Sequence, residues 1–144
     1  MLIPETYVPD LDLRLSLYRR LADEGEREGT QALAAELIDR FGPLPREVEN
    51  LLELVAIKAL CRKAGVAKLD AGPKGATITF RNDEFANPAG LIEYITREAG
   101  TMKVRPDKKL VAMRDWPDAD NRLKGAKKLL TRLSEIAERR SAAA

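Results

Sequence analysis

The hydrophobic period of this chain first changes at Gly65, and that change decides the class of fold. Before it, apolar residues recur every three or four positions; directly after it, they alternate. Three helical segments come first. Asp10 or Asp12 caps the first, DLDLRLSLYRRLADE. Leu11, Leu15, Tyr18 and Ala22 fall on its apolar face, and Leu17 and Leu21 widen it. The glycines of EGEREG break that helix. Thr30 is the expected cap of a second helix, QALAAELIDRF, with Leu33, Leu37, Ile38 and Phe41 inward and Gly42 as its stop. Gly42-Pro43-Leu44-Pro45 makes a stiff corner. A third helix follows from about Arg46 to Ala64 on a stripe of Val48, Leu51, Leu52, Val55 and Ala59.

Past Gly65 the alternation reads as strands. Val66–Leu69 and Ala76–Phe80 form a hairpin around Gly72-Pro73-Lys74-Gly75. Asn87-Pro88 opens a short helix with Leu91, Ile92 and Ile95 inward, which Gly100 closes. Met102–Arg105 and Leu110–Met113 make a second hairpin. A long last helix runs from Asp118 or Asp120 to about Arg139, with Leu123, Ala126, Leu130, Leu133 and Ala137 on one face. Hairpins imply antiparallel pairing, so the expected class is α+β. Residues 1–9 read as an extended lead-in, 10–140 as a single domain and 141–144 as a disordered tail.

Composition removes several chemistries. Among 144 residues there is no His and one cysteine, Cys61. That excludes histidine bases, Ser-His-Asp triads, an intrachain disulfide and a cysteine cluster for metal. No phosphate-binding loop of the Walker type and no G-x-G-x-x-G opening a helix is present. No apolar run approaches the ~20 residues of a membrane span. The start MLIPETYVPD has neither the basic region nor the apolar stretch of a secretory signal. The expectation is a cytoplasmic, cofactor-free, non-catalytic domain whose work is contact.

Charge is unevenly spread. Residues 1–60 carry 7 positive and 12 negative side chains; residues 61–144 carry 18 and 11. Such a chain suits docking to a charged protein surface. Within the second helix, Glu36, Asp39 and Arg40 share the polar face, at i, i+3 and i+4, beside the stiff corner. They are the candidate interface, although Glu36 and Arg40 can also pair within the helix. The basic positions Lys103, Arg105, Lys108, Lys109, Arg114, Lys124, Lys127 and Lys128 open an alternative, an auxiliary nucleic-acid-binding domain. Trp116 is the only aromatic near them, which leaves no base-stacking platform evident.

Three stretches carry a resemblance: L-I-P-E-T-Y-V-P-D-L-D-L-R-L-S-L-Y-R-R-L, then E-L-I-D-R-F-G-P-L-P, then K-G-A-T-I-T-F with the Asn87-Pro88 helix start. Together they resemble the C-terminal domain of bacterial transcription-repair coupling factor. The resemblance implies a parent that is an ATP-driven DNA translocase, displacing stalled RNA polymerase and recruiting the excision-repair protein UvrA. It implies that this domain is not catalytic. It docks on the UvrB-like N-terminal module of its own parent and masks the UvrA-binding surface. The family's docking face, carried over by residue, falls on Glu36, Asp39 and Arg40. Direct nucleic-acid binding and membrane contact are not expected, and no cofactor is implied.

Overall fold

A computed structural model describes the backbone of residues 2–23, 27–98 and 100–143; the side chains of 27–29 and 140–143 lie outside the description. The element order is α1 (Leu11–Asp23), α2 (Arg27–Phe41), α3 (Arg46–Ala64), β1 (Val66–Gly72), β2 (Gly75–Phe80), α4 (Pro88–Arg97), β3 (Met102–Val104), β4 (Leu110–Met113) and α5 (Ala119–Ala143). The class is α+β, as the period change required. The chain divides into two compact units, residues 1–59 and 60–144, with the division inside α3.

The first unit is helical. Its core gathers Ile3, Val8, Leu17, Leu21, Leu33, Leu37, Val48 and Leu52. The lead-in is not extended. The amides of Tyr7 and Val8 both donate to the Pro4 carbonyl at 3.1 Å, forming a turn that buries Ile3 and Val8. Asp10 is the cap of α1, its carboxylate accepting from the amides of Asp12 and Leu13.

The buried stripe of α1 is Arg14, Leu17 and Leu21, while Leu11, Leu15 and Ala22 are exposed. Leucines at 11, 13, 15, 17 and 21 fit more than one helical stripe, so spacing alone did not choose. The stripe that won includes an arginine, because backbone oxygens receive it. Arg14 Nη1 donates to the carbonyls of Val8 at 2.7 Å and Pro9 at 3.0 Å.

The helix α2 begins before the expected cap. Thr30 is buried, since it shares a face with Leu33 and Leu37. Of the EGEREG break, residues 24–26 lie outside the described residues. Ile38 was expected inward and is half exposed. It stands about 100° around the helix from Leu37, off a narrow stripe. Gly42 ends the helix at φ +93°, a conformation that favours glycine.

The second unit joins both hairpins into one antiparallel sheet of order β1-β2-β4-β3. Ile78 faces Leu110, and Ala76 and Met102 both face Ala112, so one side of the sheet is apolar. A bulge between Val66 and Lys68 interrupts the β1 edge. Close approaches at two of the glycines are tightest. A Cβ on Gly75 would stand 2.0 Å from the Ala112 carbonyl oxygen, and one on Gly125 would stand 2.3 Å from the Trp116 indole.

Asn87 caps α4 by accepting from the Gly90 amide at 3.0 Å, and its Nδ2 donates to the Ile136 carbonyl of α5 at 3.0 Å. Gly90 and Leu91 face inward there. Ile92, expected inward, is 65% exposed, one residue past that contact face. In α5 the apolar side holds Ala126, Leu130, Leu133 and Ala137 as expected, joined by Leu129 and Ile136. Ala144 lies outside the described residues.

Candidate docking face

The three residues named from α2 are not equivalent. Asp39 and Arg40 are exposed, and Glu36 sits at the boundary. Glu36 Oε2 accepts from Arg20 Nη1 of α1 at 2.6 Å and from Arg40 Nη1 at 3.4 Å. The i, i+4 pair that spacing allowed is therefore present, and a second arginine from another helix completes a three-residue network. The Arg20 hydrogen bond, foremost, holds the Glu36 carboxyl below its ordinary range.

The sequence offered no signal for Arg20, because its partner lies 16 residues away. The Arg40 guanidinium carbon also lies 5.1 Å from the Phe41 ring centre, within reach of a cation–π contact. Both partners of Glu36 are thus positioned before any docking takes place.

The end of α2 is held from the lead-in. The Tyr7 hydroxyl lies 3.1 Å from the Leu37 carbonyl oxygen and 2.9 Å from that of Gly42, and donates its one proton to this pair. The Gly42 carbonyl lies just past the helix C-terminus, where no intrahelical donor reaches it. The Tyr7 ring packs 5.7 Å from Phe41. Burial beside these acceptors raises the phenol's pKa. The Tyr18 hydroxyl in turn accepts from the Ile3 amide. The Y-V-P and R-F-G stretches of the sequence are thus one structural feature: a hydroxyl from the first fastens the helix end made by the second.

Elsewhere the polar groups are ordinary. Cys61 is half-buried in α3, and burial raises its thiol pKa, which makes it a poor nucleophile. Trp116 is buried in its slot at Gly125, and its amide donates to the Pro73 carbonyl at 2.9 Å. It offers no face for stacking. Arg105 is paired with Asp107, whereas Lys103, Lys108, Lys124 and Lys128 are exposed. Among the described residues, no group of three His, Cys, Asp or Glu side chains is placed to hold a metal. No described helix is long and apolar enough to cross a membrane.

The molecule is thus an α+β module with an organised polar surface toward the end of α2. The model of the TRCF domain family matches residues 1–91. The chain is 38% identical over 135 residues to the transcription-repair-coupling factor of Rickettsia conorii, covering 93% of this chain and 12% of that protein. It is 29% identical to that of Escherichia coli, over 94% of this chain and 12% of that protein. The fold matches the crystal structure of the C-terminal domain of transcription-repair coupling factor, with a TM-score of 0.74 at 23% identity, covering 95% of this chain and 88% of that one.

The chain belongs to the TRCF domain family. It spans about an eighth of the length of the curated relatives it matches.

Proposed function

We propose that this domain is a non-catalytic regulatory module of a cytoplasmic transcription-repair coupling factor. It docks on the UvrB-like N-terminal module of its own parent and masks the surface that binds UvrA. The parent is then a DNA translocase that engages stalled RNA polymerase, and that engagement releases the domain.

The observation that carries the reading is the Arg20–Glu36–Arg40 network on α2. It fixes a charged face at a stiff corner, so docking orders few side chains anew. Asp39, exposed beside the network, is the carboxylate open to a cation of the partner. A small polar contact suits a reversible mask: tethering supplies a high effective concentration, and a competitor can displace it. The alternative, nucleic-acid binding through the basic second half, gains no stacking platform from the buried Trp116.

Calorimetric titration of this chain against the UvrB-like module tests the reading. Binding is expected, weakening with salt. Reversal of Glu36, Asp39 and Arg40 together is expected to abolish it. Binding that survives the triple reversal contradicts the assignment of the face.

A further inference from the structure

In α1, periodicity and burial disagree, and the disagreement marks a second surface. Leu11, Leu15, Tyr18 and Ala22 follow the four-three-four spacing of a coiled-coil seam. Such a seam is ordinarily buried by a partner helix. Here Leu11 is 58% exposed, Leu15 is 45% exposed and Ala22 is exposed. The helix packs into its own unit through the other stripe, Arg14, Leu17 and Leu21, with half-buried Tyr18 at the edge between the two. The seam is also distinct from the docking face, because Arg20, which reaches Glu36, lies about 140° around α1 from Leu15.

We propose that this seam is a self-association surface that takes α1 of a second copy of the chain, antiparallel. Charge selects both partner and direction. Asp12 and Arg19 are exposed and flank the seam on one side, each one residue past a seam position, Leu11 and Tyr18. A two-fold axis between Leu15 and Tyr18 sets Leu15 against the partner's Tyr18 and Leu11 against the partner's Ala22. The same axis brings Asp12 of each copy to Arg19 of the other, twice. A parallel pairing sets Asp12 level with Asp12 and loses both ion pairs. The arrangement is isologous, so it closes as a dimer. The helix has 13 residues, about 20 Å of seam, so the contact is below the standard interface size and the dimer is weak.

Sedimentation equilibrium of the 144-residue chain tests this, from about 10 µM to about 1 mM, where a contact of this size is read. A monomer–dimer equilibrium is expected. Leu15→Asp is expected to weaken it at least about tenfold, with an unchanged melting curve because the residue is exposed. Asp12→Arg is expected to weaken it as well, and Asp12→Arg with Arg19→Asp to restore it. The charge swap reads the proposal even if Leu15→Asp disturbs folding. A chain that stays monomeric throughout overturns the proposal. So does association that neither Leu15→Asp nor Asp12→Arg changes.

Discussion

The two units of this domain reach a buried state by different means. The helical unit, residues 1–59, ties its elements together with polar side chains on distant backbone groups. Tyr7 reaches Leu37 and Gly42, Tyr18 reaches Ile3, and Arg14 reaches Val8 and Pro9. The sheet-bearing unit, residues 60–144, has one such long-range tie, Asn87 to Ile136, and otherwise relies on a ladder and on close approaches at Gly75, Gly90 and Gly125. The first unit has an excess of negative side chains and the second of positive ones, and the division falls where the charge balance changes sign. A single hydroxyl or guanidinium therefore matters most in the first unit. Added volume matters most in the second.

Substitutions can break that contrast, and the largest effect is expected in the second unit. Gly75→Ala combines a φ of +128° with the clash at Ala112, and is expected to cost about 3 kcal/mol or more. Chemical denaturation measures it. Leu133→Ala and Leu17→Ala, one core leucine from each unit, are each expected to cost about 2–5 kcal/mol. If the units melt separately, each change moves only its own transition in calorimetry. A shared shift would make them one cooperative body.

Smaller effects sharpen the first unit. Arg14→Ala strips two carbonyls of their donor and is expected to cost about 1–3 kcal/mol, read as a lower denaturation midpoint at unchanged slope. Tyr7→Phe keeps the ring on Phe41 and removes only the hydroxyl, for about 1 kcal/mol. Hydrogen exchange is expected to rise at the end of α2 and not in the sheet.

The smallest effect is electrostatic. Glu36 has a depressed folded-state pKa, so its network supports folding above the unfolded carboxyl pKa and loses that support as pH falls through the folded value. NMR titration of Arg20→Gln is expected to move the Glu36 pKa back up. A Glu36 pKa unchanged by Arg20→Gln would mean that Arg40 alone holds it.

Much of this was legible beforehand where local chemistry sets the outcome. Asp10, Gly42, Gly65 and Asn87-Pro88 end or start helices by backbone geometry that the residue type nearly dictates. The two hairpins followed from alternation and turn residues. What could not be read was long-range. Joining the hairpins through β2 and β4 depends on a pairing across some thirty residues of chain. The choice of stripe in α1 depended on carbonyls outside the helix. Ile38 and Ile92 sit one step off narrow contact faces, and only packing distinguishes them from their neighbours. The candidate face was visible as a charge pattern on α2, but its partner Arg20 was not.

The contrast between the units leads to one decisive titration. In this TRCF domain the acidic helical unit, and not the basic sheet-bearing unit, is held to carry the docking contact. Asp39→Lys and Lys128→Glu each reverse one exposed charge, the first on α2 and the second on α5. Each variant is titrated by calorimetry against the UvrB-like module beside the unchanged chain. The account predicts that Asp39→Lys loses binding while its melting temperature holds, and that Lys128→Glu binds as before. Full binding by Asp39→Lys together with loss by Lys128→Glu would contradict it.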